Sequence, residues 1–334
     1  METTDNYHKK KTFHLPTQSC HLSGDEYISF AFHPNYNIIV VGKNDGSFEI
    51  YRYSENLMQF IRLSNSADNH TDAIYSIKFN HDGTLFATGS RDNSAKLWEV
   101  SANGQVLNCL WTLTGHDNSV QSIAFNCDGT LLVTGSDDNK AIVWQILQDS
   151  DDIVVKPIIP LVQHTGGINA VAFHPTESYI VATGSEDGTV ILWNIDLSNE
   201  TAVVMKTLTG HSFWISSVAF LPDGTGLVSG SYDGTVIIWK CIFGKSMDLD
   251  YSLETIGTPN EEDQPYDETI RVNSVSFDET TDTLAIGKSN GIIEFWSLSS
   301  DDAHTTLIGT LNRGCESIRS VVFNERIFAS LSIK

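Results

Sequence analysis

At 334 residues with a formal net charge of −22 and a pI near 4.6, the chain is long enough to bury a large core, and length alone suggests two or three domains. Twenty Lys plus Arg against 42 Asp plus Glu argues against a phosphate-binding surface, and so against direct nucleic-acid contact. It favours cationic partners, or an acidic surface that serves solubility alone.

Cys20, Cys109, Cys127, Cys241 and Cys315 form no CxxC pair and no metal-ligand spacing, so a reducing compartment and thiols acting as small hydrophobes are expected. No run approaches 18 apolar residues, and METTDNYHKKK at the start lacks the apolar stretch of a signal peptide. These features imply an intracellular protein, cytoplasmic and/or nuclear, with no membrane insertion.

In chain order, HKKK at 8–11 is a short basic stretch, and KKTFHLP at 10–16 reads as a candidate strand. YISFAF (27–32) begins a ladder continued by AIYSIKF (73–79), SVQSIAF (119–125), GINAVAF (167–173), WISSVAF (214–220), RVNSVSF (271–277) and SIRSVVF (317–323). A second ladder interleaves with it: GKNDGSFEIY ending at Tyr51, SRDNSAKLW at Trp98, SDDNKAIVW at Trp144, SEDGTVILW at Trp193, SYDGTVIIW at Trp239 and GKSNGIIEFW at Trp296. Spacings between successive tryptophans are 46, 49, 46 and 57 residues.

Each period divides into short apolar runs with strand alternation, joined by Asp-Gly or Asp-Asn turns that tolerate positive φ. A second set of turns, FHPNY, FNHDG, FNCDG, FHPTE and FLPDG, recurs at matching offsets, and no stretch reads as a capped amphipathic helix. One four-stranded antiparallel sheet per period, packed radially, buries both faces of every sheet.

The segments GHDNSVQSIAFNCDGTLLVTGSDDNKAIVW and GHSFWISSVAFLPDGTGLVSGSYDGTVIIW resemble the WD40 repeat, and the likeness extends over about residues 21–334. The resemblance implies an all-β fold, a seven-bladed β-propeller with a six-bladed ring as the alternative. Residues 1–20 are expected to be an N-terminal tail with a ring-closing strand, and 21–334 the propeller domain, with an acidic loop inserted at 257–269. The last repeat lacks an AIVW-like third strand, so its blade is expected to be atypical and completed by the N-terminal segment.

The same resemblance implies a buried hydrogen-bonded chain in four repeats: His70, Thr88, Asp92 and Trp98; His116, Thr134, Asp138 and Trp144; His164, Thr183, Asp187 and Trp193; His211, Ser229, Asp233 and Trp239. Histidines in four different blades cannot converge on one metal, and a triad copied four times without a pocket signature does not describe an active site. No catalytic, cofactor-binding or metal-ligating residue is therefore assigned, and no cofactor is expected. In the first repeat Ser23, Val41 and Tyr51 take the His, hydroxyl and Trp places. In the sixth, Glu268, Ile286 and Asn290 take the His, hydroxyl and Asp places, while Trp296 stays. Both repeats are expected to have lost the polar chain as a set and to be the less rigid blades.

Loops at the channel mouth supply the candidate partner-binding residues: Phe213 and Trp214 in GHSFW, Tyr232 and Arg91 before the turn aspartates, and Tyr75 and Gln121 on first strands. GTPNEEDQPYDETI could attract a basic segment or simply be solvated filler. Taken together these features suggest a non-catalytic scaffold or adaptor in a multiprotein complex. Its partners would be one or more proteins, some with basic segments, and homo-oligomerisation is not required. The alternatives are a module that recognises a short basic or modified peptide at the mouth, and, least supported, an enzyme.

Overall fold

A computed structural model describes residues 19–23, 26–54, 59–65, 69–101, 105–149, 152–241, 251–256, 270–278, 281–298, 305–324 and 327–333. Among these, every regular element is a strand, and the strands form seven sheets. Six are four-stranded antiparallel blades in simple chain order, over residues 27–65, 74–114, 120–162, 168–209, 215–256 and 272–312, here blades 1 to 6. Where the sequence suggested seven blades, only six are complete. The last repeat gives a three-stranded sheet in which Ile327–Ile333 lies between Ser317–Asn324 and Ser19–Ser23.

Blade 3 shows why these sequences pleat. Its first strand, Val120–Phe125, faces the ring centre. Its second, Leu131–Ser136, is buried at every residue, because a neighbouring sheet covers each of its faces. Continuous apolar runs with small polar residues suit that place. The outermost strand, Asp152–Val162, alternates between buried and exposed at the rim. The turn between second and third strands needs a left-handed residue, supplied by Asn93 and Asn139 (both φ 68°) in blades 2 and 3 and by Gly188 (φ 79°) in blade 4.

Adjacent sheets meet at very short range. A Cβ on Gly184 in blade 4 would lie 2.5 Å from Ile215 Cγ2 of blade 5, and one on Gly287 in blade 6 would lie 2.7 Å from Ile318 Cγ2 of the three-stranded sheet. Ala329 and Leu331 of that sheet pack with Phe30, Ile39 and Val41 of blade 1, so the ring is continuous through it. Serine hydroxyls stitch the seams: Ser76 accepts the Ile123 N–H at 3.2 Å, Ser122 that of Val171 at 3.1 Å, and Ser274 that of Val321 at 3.2 Å. Blade 4 has Ala170 at this place, and Asn169 Nδ2 instead donates to the Ile215 carbonyl at 3.1 Å.

As expected, the last sheet is atypical and takes a strand from the N-terminal segment. Ser19–Ser23 straddles the boundary drawn at residue 20 and pairs parallel with the second strand, Ser19 opposite Phe328 and Ser23 opposite Ser332. An antiparallel third strand would have run between them. KKTFHLP, HKKK and the acidic insertion at 257–269 lie outside the described residues. No helix among the described residues is long and apolar enough to cross a membrane.

Candidate functional site at the channel mouth

The mouth is framed by loops that hydrogen-bonded side chains hold in place. In blade 2, His70 Nδ1 lies 2.8 Å from Asp92 Oδ2 and His70 Nε2 2.7 Å from Thr88 Oγ1, and Trp98 Nε1 donates to the same hydroxyl oxygen at 3.0 Å. An ionised Asp92 requires the proton on Nδ1, so Nε2 accepts from Thr88, whose oxygen is then free to accept from the indole. Blade 3 repeats this with His116, Asp138, Thr134 and Trp144 at 2.9, 2.7 and 3.0 Å. Blade 4 uses His164, Asp187, Thr183 and Trp193 at 2.9, 2.8 and 2.9 Å. Blade 5 uses His211, Asp233, Ser229 and Trp239 at 2.9, 2.8 and 2.8 Å.

Burial alone would raise the Asp233 carboxyl, but hydrogen bonds from His211 and Thr235 outweigh it and hold the group at about 2. The same opposition leaves Asp92, Asp138 and Asp187 below the usual carboxylate range. Burial pulls His116 down, which favours the neutral ring that the chain of donors requires.

Blades 1 and 6 are wired differently, which corrects the expectation that they had simply lost their polar chain. Trp296 Nε1 donates to Glu294 Oε2 at 3.0 Å, and Lys288 Nζ lies 2.6 Å from Glu294 Oε1. In blade 1, Tyr51 donates its hydroxyl to Glu49, which is also met by Lys43 at 3.5 Å and Arg62 at 2.7 Å. Burial and then the Glu49 bond raise the Tyr51 phenol. Val41 is registered opposite Glu49, and Ile286 opposite Glu294. The carboxylate thus reaches the aromatic from two residues back along the same strand, and the residue opposite it on the neighbouring strand is Val or Ile where the other blades have a hydroxyl. The signal was present in the sequence: both repeats read G-K, then Glu six residues after the lysine and two before the aromatic.

Seven first strands converge on the mouth. In each, the register with the second strand slips by one residue, and the bulged residue turns inward: Ile28, Tyr75, Gln121, Asn169, Ser216, Asn273 and Arg319. All seven line one open cavity of about 530 Å³, together with Asp137, Glu186, Trp214, Tyr232, Arg271, Ser289 and Ser317. Backbone bonds fix the outer members, with Asp137 N–H donating to the Ser119 carbonyl at 3.0 Å, Glu186 to Gly167 at 2.9 Å and Tyr232 to Trp214 at 2.9 Å.

Of the residues singled out from sequence, Tyr75, Gln121, Trp214 and Tyr232 line this cavity. Phe213 does not; it stacks on Trp214 with centroids 5.6 Å apart and is 38% exposed. Arg91 also stands outside, with its guanidinium 3.5 Å from Asp72. Sequence reasoning missed Arg271 and the bulged residues Ile28, Asn169, Ser216, Asn273 and Arg319. The available signal was position: in six of the seven first strands the bulged residue follows a buried Ile or Val, and Arg271 stands immediately before one of these, Val272.

The charge around the mouth is ordered. Asp137 and Glu186 face the cavity from blades 3 and 4. Burial raises both, and Asp137 raises Glu186 further. Blade 5 contributes Trp214 and Tyr232, 6.0 Å apart. The Arg271 guanidinium lies 5.4 Å over the Tyr232 ring, and Arg319 follows on the three-stranded sheet. The Ser216 hydroxyl sits 2.6 Å from the Val272 carbonyl and 3.0 Å from that of Gly230, where it is committed to the backbone. Among the described residues no group of three or more His, Cys, Asp or Glu could hold a metal ion. What the cavity offers chemically is charge, aromatic faces and hydrogen-bonding amides.

Comparison with known proteins gives the same pattern. The family model for the WD domain, G-beta repeat, matches residues 62–99, 107–145, 155–194 and 202–240. The chain is 26% identical to villidin of Dictyostelium discoideum over 45% of its length and 6% of villidin's. It is 35% identical to eukaryotic translation initiation factor 3 subunit I of Mycosarcoma maydis over 25% of each chain. It is 32% identical to human serine-threonine kinase receptor-associated protein over 22% of its length and 19% of that protein's. The chain thus spans a quarter or less of the length of these curated relatives. The solved structure of U3-55K is similar in fold, with a TM-score of 0.69 and 21% identity over 90% of this chain and 85% of that one.

Proposed function

The chain belongs to the WD40-repeat family, and on that premise we propose that it is a non-catalytic adaptor that docks a protein partner at the channel mouth within a multiprotein complex. The observation that carries this reading is the convergence of seven bulged residues on one open cavity beside the Phe213–Trp214–Tyr232 aromatic cluster. A rigid ring whose inner strands all present a side chain to one opening is suited to recognition, and aromatic anchors dominate interface energetics. Two relatives are named for assemblies, one as a subunit of an initiation factor and one as receptor-associated. The same reading counts the three-stranded sheet as the seventh blade and places the protein inside the cell, in the cytoplasm or the nucleus.

The test is affinity capture of the full chain and of its Trp214→Ala and Tyr232→Ala variants, with bound proteins identified by mass spectrometry and cross-links mapped to the mouth. Loss of a cross-linked partner from both variants, at unchanged unfolding midpoints, supports the proposal. Retention of every partner by both variants overturns it.

A further inference from the structure

We infer that the mouth takes a peptide segment with a fixed polarity: a lysine or arginine side chain toward Asp137 and Glu186, and a carboxylate-bearing residue toward Arg271 and Arg319. This rests on the reading of the mouth as a protein-docking site and specifies the occupant's chemistry.

The polarity follows from which blades carry charge. Asp137 and Glu186 come from adjacent blades, and both approach Gly167: a Cβ there would lie 3.3 Å from Asp137 Oδ1 and 3.3 Å from Glu186 Cδ. The closest side-chain donor to Asp137 is the neutral Gln121 amide, at 2.7 Å, and among the described residues neither carboxylate forms an ion pair. Two carboxylates half-withdrawn from water, with Asp137 close enough to raise Glu186, hold negative potential that an incoming ammonium or guanidinium would relieve.

Next around the ring, Trp214 and Tyr232 present faces over which the apolar stem of such a side chain can lie. Beyond them, Arg271 is held over Tyr232, and Arg319 is the bulged residue of its own strand, so two guanidiniums face the cavity from the opposite flank. Bidentate capture of a carboxylate suits them. A uniformly basic segment would be repelled at this flank and a uniformly acidic one at the other. The net charge of −22 steers the cationic end in and disfavours nucleic acid.

The experiment uses arrays of synthetic peptides of matched length carrying a Lys or Arg and an Asp or Glu at varied separation. Companion arrays keep only the cation, only the anion, or neither, and labelled single-stranded oligonucleotides form a separate arm. The full chain is expected to retain peptides bearing both charges. Asp137→Asn with Glu186→Gln should weaken them by about tenfold or more while sparing the anion-only set, and Arg271→Ala with Arg319→Ala should do the converse. Unfolding midpoints of both pairs of variants establish that the ring is intact.

Retention that depends on Trp214 but is indifferent to all four charged residues, or that favours the oligonucleotide, overturns the inferred polarity. The first of these outcomes would leave the docking reading standing. If no peptide is retained and Trp214→Ala loses no captured partner, both fall.

Discussion

Glu294 accepts the indole N–H of Trp296 at 3.0 Å from two residues back along the same strand, while Lys288 grips its other oxygen at 2.6 Å. This arrangement satisfies a partly buried indole without the histidine, hydroxyl and aspartate of the central blades. Blade 1 uses Lys43, Glu49 and Tyr51 in the corresponding places. Two solutions to one problem therefore coexist in a single ring: a neutral relay anchored by an ionised aspartate, and a direct carboxylate balanced by a lysine.

Glu294→Ile should lower stability by about 2 kcal/mol, because it strands both the Trp296 indole and the Lys288 ammonium. Lys288→Met alone should also cost stability by leaving the carboxylate unbalanced. The double variant, Lys288→Met with Glu294→Ile, should cost less than the sum of the two single losses, because neither charge is then left without its partner. Urea unfolding midpoints check this; strictly additive losses would mean that the three groups do not act together.

Thr134→Val tests the relay in blade 3 with little change of shape. The hydroxyl serves His116 Nε2 at 2.7 Å and Trp144 Nε1 at 3.0 Å, so its removal leaves two buried groups unpaired at once. A loss of about 2–4 kcal/mol is expected. Valine is native at the matching place in blade 1, Val41, where Glu49 stands opposite. Adding Ile142→Glu, which lies opposite Thr134, to Thr134→Val should therefore return part of the loss, although Ile142→Glu alone is destabilising. Calorimetric midpoints of the three variants decide it.

The pH dependence of stability should have two acid steps. Burial lowers His33, His116 and His174, so the native state favours their neutral rings while the unfolded chain takes up protons near 6.5. A histidine depressed in the folded state gives stability that is present above pH 6.5 and declines as pH falls below it. The relay aspartates add a second loss below about pH 4: Asp233 titrates near 2 when folded and near 3.9 when unfolded, and Asp138 and Asp187 shift the same way. Urea midpoints should fall gently between pH 7 and 5 and steeply below 4, and Asp233→Asn should flatten the lower step. Stability unchanged down to pH 4 would contradict the histidine contribution.

The periodic parts of this fold were legible because they are written in every repeat. Strand alternation, the Asp-Asn and Asp-Gly turns and the recurrent tryptophans each answer to a local requirement, so the propeller and the His70, His116, His164 and His211 relays could be read from spacing and resemblance. What escaped depends on contacts across strands or sheets. Glu294 looks like an ordinary strand residue until its register with Ile286 is known, and Arg319 looks like a surface cation until the slip beside Ile318 turns it inward. The parallel pairing of Ser19–Ser23 was equally hidden, since no local pattern specifies which strand a distant segment will join.

Gly184→Ala probes the spacing between blades, on which the mouth depends. The new methyl carbon would start 2.5 Å from Ile215 Cγ2 and 2.9 Å from Val218 Cγ1, and both side chains belong to the tightly packed inner strand of blade 5. Neither branched side chain can swing away, because Ile215 is fully buried. A loss of about 1–3 kcal/mol is expected, despite the entropic advantage of alanine over glycine in the unfolded chain. Gly115→Ala serves as the control, since its nearest neighbour is the terminal Cδ1 of Ile142 at 3.2 Å, which can shift by a small rotation. Since Ile215 immediately precedes the bulged Ser216, the blade 5 side of the mouth should move with it. Gly184→Ala should therefore weaken retention of peptides that need Trp214, while Gly115→Ala leaves it unchanged. Equal midpoints for the two variants would show that the seam between blades 4 and 5 yields more easily than its close contacts imply.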